Sequence, residues 1–291
     1  MHNPGKGPTS RAGVVGKPIA HSLSPAIHHA GYAAAGLTGW SYTTIEAGAD
    51  ELPDLVAGLG PEWAGLSVTM PGKEAALALA DEVSPVAAAV GAANTLVRRP
   101  DGTWYADNTD VTGMVEVLTG AGCVTGAVVT VLGAGGTARA AIAAAARIGA
   151  AEVTVVARRP EAVDELRPVA AAVGVPLAGA EWGGAPAHAR ADLVISTVPK
   201  GVADPLADNF DWRPETVLFD ALYDPWPTPL AAGALAAGCR VISGLDLLLA
   251  QAVGQFEHFT GVSAPRAAMR AALEGKAGAP LNAFGIGGGP A

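Results

Sequence analysis

The chain has 291 residues, half of them apolar and 15% charged. That is enough for about two domains of roughly 150 residues with cores of their own, and too apolar for a disordered chain. Acidic residues outnumber basic ones by 27 to 18, for a net charge of −9, so nucleic acid and anionic membrane surfaces meet net repulsion. The two cysteines, Cys123 and Cys239, cannot build a disulfide framework and suit a reducing compartment. The stretch Met1–Arg11 lacks the apolar core of a signal peptide, and the alanine run Ala140–Ala146 is too short for a bilayer. The expectation is a soluble cytoplasmic α/β protein.

In chain order, strands are expected at Ala12–Gly16, Trp40–Thr44, Gly65–Val68, Ala127–Leu132, Glu152–Ala157, Leu193–Val198, Thr216–Asp220 and Arg240–Ser243. Thr95–Arg98 and Thr103–Ala106 flank Asp101-Gly102 and read as a hairpin. Alanine-rich helical stretches alternate with the strands, the pattern of a mostly parallel sheet. A domain boundary is expected near Thr112–Gly126 and a return crossing after Gly244. There Leu245, Leu248, Leu249, Ala252, Val253 and Phe256 space out an amphipathic helix. The division expected is 12–112 plus 245–274 for one domain and 113–244 for the other, with a ligand cleft between them. Residues 1–11 and 275–291 read as fraying tails.

The strand Val128–Leu132 runs directly into Gly133-Ala134-Gly135-Gly136-Thr137-Ala138 and then into a helix. A dinucleotide-binding fingerprint needs that succession. Gly133 permits a tight turn, Gly135 admits a pyrophosphate close to the backbone, and small Ala138 lets the helix pack on the strand. The helix N-terminus would present its unpaired N–H groups to the anion. The same glycines also serve a plain strand-to-helix turn.

The second strand weighs on the choice, because it ends at Ala157-Arg158-Arg159, about 25 positions after Gly133. An NAD enzyme places a carboxylate near here for the ribose 2′-hydroxyl, whereas arginine suits a 2′-phosphate. NADP is therefore the expected cofactor, with Arg158 ahead of Arg159, although such a pair is often just solvated surface.

Four segments remain: HSLSP at 21–25, SVTMPGKE at 67–74, GAANTL at 91–96 and DNTD at 107–110. Each has a plain local reading: Ser24 as helix N-cap with Pro25 at the first helical position, Lys73 as an exposed cation, the others as caps or turns. In this order, followed by GAGGTAR at 133–139, the five motifs resemble shikimate dehydrogenases over about Gly13 to Gly261.

The resemblance implies a two-domain α/β fold, with an N-terminal α/β substrate domain and a Rossmann-like NADP-binding domain. It implies the reversible oxidation of shikimate to 3-dehydroshikimate, in the chorismate route to aromatic amino acids, with hydride passed to NADP. Ser22 and Ser24 would bind the substrate carboxylate, and Thr69, Asn94, Asp110 and Gln251 its hydroxyls. Lys73 and Asp110 would form the catalytic pair, and Tyr223 would lie beside the carboxylate and nicotinamide. Ala157, Arg159, Thr197, Ala221 and Gly244 would join the glycine loop and Arg158 around the cofactor.

Ser67 stands where the family commonly has asparagine, and would reach the substrate through a bridging water. Ala157 stands where many members have asparagine, and Ser196-Thr197-Val198 departs from the usual Asn-Ala-Thr. A quinate/shikimate dehydrogenase of relaxed choice is the near alternative, and a non-catalytic NADP-binding regulator the distant one. No metal is expected: His28 and His29 diverge on a helix, and His2, His188 and His258 lack ligand spacing. The assembly expected is a monomer or homodimer.

Overall fold

The alternating runs fold into two six-stranded sheets, described for residues 10–282 by a computed structural model. His2 and the outer parts of the expected tails lie outside the described residues. Contacts divide the chain into two units. Unit 1 is the chain up to Thr109 with Gln251–Pro280, and unit 2 is Asp110–Ala250 with the residues after Pro280. Among the described residues no helix is long and apolar enough to cross a membrane.

Unit 1 opens with β1 (Ser10–Gly16), α1 (Ser24–Ala34), β2 (Trp40–Glu46), α2 (Leu52–Ala57), β3 (Trp63–Val68) and α3 (Lys73–Leu79). It continues with β4 (Glu82–Val83), α4 (Pro85–Val90), β5 (Thr95–Arg98) and β6 (Trp104–Asp107). The sheet order is β2-β1-β3-β5-β6-β4. β1, β2 and β3 run parallel, and β5 is antiparallel to both β3 and β6. The hairpin forms one residue later than expected on its second strand. Thr103 stays in the turn because Asp101 Oδ1 accepts from its amide at 3.0 Å and its hydroxyl at 2.6 Å. β1 also starts earlier than expected, since Ser10 N donates to Gly39 O and Arg11 N to Glu62 O.

Helix α5 (Thr109–Gly120) leads into unit 2: β7 (Val128–Leu132), α6 (Gly136–Arg147), β8 (Glu152–Ala157), α7 (Pro160–Asp164), α8 (Arg167–Val173) and β9 (Leu177–Glu181). β10 (Leu193–Ser196), β11 (Val217–Asp220), α9 (Pro229–Ala236) and β12 (Arg240–Ser243) follow. All neighbours are parallel in the order β12-β11-β10-β7-β8-β9. The order reverses beside β7, the switch point at which doubly wound sheets bind ligands.

Alternate strand residues serve opposite faces. Val129, Val131, Val155 and Ile195 pack against α6, whereas Leu132, Val156, Val194 and Leu218 pack with Leu230 and Ala234 of α9. Burial on both faces explains the near-continuous apolar strands. α6 meets the sheet closely because Ala138, Ala141, Ala144 and Ala145 are fully buried.

The chain closes with α10 (Gly244–Thr260) and α11 (Arg266–Ala277). The return to unit 1 falls inside α10, at Gln251. Leu247 and Ala250 belong to the core of unit 2, while Phe256 fills the space over Gly31 of α1. A Cβ on Gly31 would come within 2.8 Å of that ring. Residues 275–277 are helical rather than frayed. Asn282 is latched further on: Asp246 Oδ1 accepts from its amide and Oδ2 from its Nδ2, both at 2.9 Å. The same Nδ2 donates to Val241 O, while the Ser243 amide and hydroxyl also donate to Asp246 Oδ2.

Candidate active site

Strand direction gathers four motifs of unit 1 at one sheet edge. β1 and β3 are parallel and end together at Val15 opposite Val68. β5 starts there, with Thr95 opposite Ser67, and β6 ends there, with Asp107 opposite Thr95. That edge therefore carries Ser22 and Ser24 after β1, Thr69 and Lys73 after β3, Asn94 before β5 and Asn108 after β6. Asp110 follows in the first turn of α5 and is 9% exposed.

Local contacts set these residues individually. Thr69 N donates to Val15 O at 2.9 Å, and Gly16 leaves room for its methyl, which a Cβ would meet at 2.4 Å. Lys73 opens α3, and its carbonyl accepts from Ala93 N at 2.9 Å. Ser24 is not the N-cap expected of it. It is already helical, and Ser22 Oγ accepts from its amide at 3.3 Å, so its own hydroxyl is not spent on capping.

Ser67 is 4% exposed, and its hydroxyl is engaged twice within unit 1. Tyr42 Oη donates to it at 2.7 Å, and it donates to Gln255 Oε1 at 2.7 Å. Gln255 Nε2 donates to Asn94 O at 3.0 Å and to Thr95 Oγ1 at 3.2 Å. Asn94 Oδ1 accepts from Thr95 Oγ1 at 2.8 Å, Thr109 N at 2.8 Å and Thr109 Oγ1 at 3.1 Å. Burial pushes the Tyr42 phenol well above its ordinary pKa, so it is a donor at any ordinary pH. Behind Tyr42 lies His28, stacked on it at 4.1 Å with planes 6° apart. His28 is fully buried, and burial lowers its pKa to about 3.

The DNTD motif is braced from outside. Asp107 Oδ1 accepts from Ser84 Oγ at 2.6 Å and Asn108 N at 2.8 Å, and its Oδ2 pairs with His258 Nε2 at 2.9 Å. Burial raises the Asp107 pKa, but the His258 and Ser84 bonds outweigh it and leave the carboxyl below the usual range.

In unit 2, the glycine loop sits at the carboxyl end of β7, beside the switch point. Gly133 has φ +102°, and a Cβ there would lie 2.7 Å from Thr197 Oγ1, so the turn requires glycine. Thr197 Oγ1 is held by Leu132 O at 2.9 Å. Gly135 caps α6 and Gly136 begins it, and neither would meet any protein atom with an added Cβ. Ala134 and Thr137 flank them, and Ala138 is fully buried against the sheet. Open backbone at a helix start is what a pyrophosphate fits.

Ala157 ends β8, and Arg158 and Arg159 follow, both exposed and without an ion pair among the described residues. Two unpaired guanidiniums beyond the second strand suit a 2′-phosphate, so the residues present fit NADP.

Beyond β11, Ala221 and Tyr223 occupy a loop anchored by Asp220. That carboxylate accepts from Thr228 Oγ1 at 2.7 Å and Leu222 N at 3.2 Å, and burial raises its pKa. Burial, then the charge of Asp224, raises the Tyr223 phenol. Gly244 lies so close that a Cβ would reach Ala221 O at 2.1 Å and Tyr223 Cδ1 at 3.1 Å.

Tyr42, Thr95, Thr109 and Gln255 escaped the sequence reading. A signal existed for Gln255: it stands one helical turn after Gln251, on the same face of α10. Gln251 itself is 8% exposed.

Known proteins bear on this arrangement. The model of the shikimate dehydrogenase substrate binding domain matches residues 14–96, and that of the shikimate 5′-dehydrogenase C-terminal domain matches residues 244–274. A shikimate dehydrogenase (NADP(+)) of Moorella thermoacetica is 38% identical over 284 residues, covering 94% of this chain and 96% of the relative. The crystal structure of Mycobacterium tuberculosis shikimate dehydrogenase aligns with a TM-score of 0.84 at 50% identity, over 90% of this chain and 99% of that one. The Thermus thermophilus shikimate 5-dehydrogenase in complex with NADP(H) and shikimate aligns with a TM-score of 0.80 at 32% identity, over 92% and 99%. Likeness of this extent, with all five motifs at strand ends, settles the assignment: the chain belongs to the shikimate dehydrogenase family.

Proposed function

We infer that this chain is an NADP-dependent oxidoreductase of the cytoplasm that interconverts shikimate and 3-dehydroshikimate, a step toward chorismate and the aromatic amino acids. The observation that carries the reading is the single sheet edge of unit 1, where Ser22, Ser24, Thr69, Lys73 and Asn94 collect although the first and last stand 72 positions apart in the chain. When bound, NADP(+) supplies the hydride acceptor for the substrate's C3.

The chain's residues have distinct tasks in this reading. The hydroxyls of Ser22 and Ser24 bind the substrate carboxylate, and Thr69, Asn94 and Gln251 hold its ring hydroxyls. Lys73 Nζ stabilises charge on the C3 oxygen and exchanges its proton. The Asp110 carboxylate orients that ammonium and binds a neighbouring hydroxyl. Tyr223 packs beside the substrate carboxylate and nicotinamide. The loop Gly133–Ala138 holds the pyrophosphate, Arg158 and Arg159 the 2′-phosphate, and Ala157, Thr197, Ala221 and Gly244 line the cofactor's path.

The test is spectrophotometric: NADP(+) reduction with shikimate, compared with quinate and with NAD(+). Turnover that prefers shikimate and NADP(+) supports the reading. Equal use of quinate favours the relaxed-specificity relative, and no reduction with either alcohol refutes enzymatic function of this kind.

A further inference from the structure

We propose that Gln255 is a positioning residue for shikimate, acting through a one-way hydrogen-bond relay that fixes the carboxamide of Asn94 as a donor to the substrate. The proposal rests on the functional reading above, and it moves Ser67 from substrate contact to relay member.

The polarity of the relay follows from counting protons. A hydroxyl has one, so a hydroxyl that donates in one direction must accept in the other. Tyr42 donates to Ser67, which is left to donate to Gln255 Oε1. That places the Gln255 amide nitrogen toward Asn94 O and Thr95 Oγ1. Thr95, accepting there, donates onward to Asn94 Oδ1.

Two backbone groups lock the direction against an amide flip. The Asn94 carbonyl only accepts, so the atom of Gln255 facing it must be nitrogen. The Thr109 amide only donates, so the atom of Asn94 facing it must be oxygen. Asn94 Oδ1 thus receives three donors, and the carboxamide presents Nδ2, which has no hydrogen-bond partner among the described residues, as its remaining polar edge. An NH2 group at the sheet edge selects a substrate oxygen that can accept.

The relay also gives a role to the serine at position 67. It is small, its hydroxyl is committed to Tyr42 and Gln255, and it is buried. A carboxamide at this position would need room that the Tyr42 phenol, 2.7 Å away, now occupies. Gln255 ties α10 to β3 and β5 together, because it bonds residues 67, 94 and 95 at once.

The experiment measures shikimate binding to the free enzyme by calorimetry, alongside steady-state kinetics, for Gln255→Leu, Asn94→Ala and the double variant. Gln255→Leu should weaken shikimate binding and raise its KM about tenfold, leaving the KM for NADP(+) within about twofold. In the double variant the Gln255 substitution should add almost nothing to Asn94→Ala, because the group it positions is gone. A merely structural role predicts multiplied effects, and that outcome overturns the relay, as does an unchanged shikimate KM in Gln255→Leu. Thr95→Val, nearly isosteric, breaks the same link and must show the same non-additivity if Gln255→Leu fails to fold. Wild-type enzyme that neither binds nor oxidises shikimate overturns the functional reading, and the relay with it. Wild-type activity with additive variants overturns the relay alone.

Discussion

His28→Phe should remove a large part of the acid sensitivity of unit 1. His28 is fully buried, and neither ring nitrogen has a hydrogen-bond partner among the described residues. Its ring lies among Tyr42, Phe256, Phe259 and Tyr32, and burial, helped by the neighbouring His29, lowers its pKa from 6.5 to about 3. The folded state therefore refuses a proton that the unfolded chain takes up below 6.5. Stability is full above that value and drains away as pH falls from 6.5 toward about 3. Each pH unit in that window costs about 1.4 kcal/mol, so about 2–3 kcal/mol is gone by about pH 4.5.

Phenylalanine keeps an aromatic ring, slightly larger, in the same place, loses no hydrogen bond and binds no proton. Urea unfolding of both proteins at about pH 7 and about pH 4.5 is the assay. The variant should be at least as stable at neutral pH, since two unsatisfied buried nitrogens vanish, and should lose about 2–3 kcal/mol less on acidification. Other acid-labile groups, such as the Asp107 carboxylate with its lowered pKa, are common to both and cancel. Parallel losses in the two proteins would refute the reasoning.

Lys73→Ala should cut kcat by roughly 10²–10⁴ with a smaller change in KM, as expected for a positioned proton-exchanging group; near-normal turnover removes Lys73 from the chemistry. Arg158→Gln should raise the KM for NADP(+) while sparing NAD(+), measured by paired titrations, and equal effects would mark the arginine as structural. Gly244→Ala forces a Cβ to within 2.1 Å of Ala221 O. It should cost about 1–3 kcal/mol in unfolding experiments and displace Tyr223, seen as a raised KM for both ligands.

The parallel sheet of unit 2 was readable because its buried strands β7, β8 and β10 are compact apolar runs rich in β-branched residues, and because glycines punctuate the elements, Gly133 and Gly244 after strands and Gly149, Gly174 and Gly238 after helices. β9 was not: Leu177-Ala178-Gly179-Ala180-Glu181 has no β-branched residue and becomes a strand only by pairing with β8. The two-residue β4 and the short α7 and α8 also carry too little periodicity to announce themselves. The crossing into unit 1 could be placed only as after Gly244, because amphipathicity marks where a helix begins, not which core each turn of it joins. In the site, motif residues were found as motifs, whereas their supports were invisible. Tyr42 looks like any strand aromatic, and only sheet register brings it against Ser67, 25 positions on.

The latch of Asn282 onto Asp246 gives a late residue of the chain leverage on a helix 36 positions earlier. Asp246 is 6% exposed and starts the helix that delivers Gln251 and Gln255. Trimming the protein ahead of Asn282 would strip two donors from a nearly sealed negative charge, so a change at the C-terminus would be felt at the root of the helix that carries both glutamines.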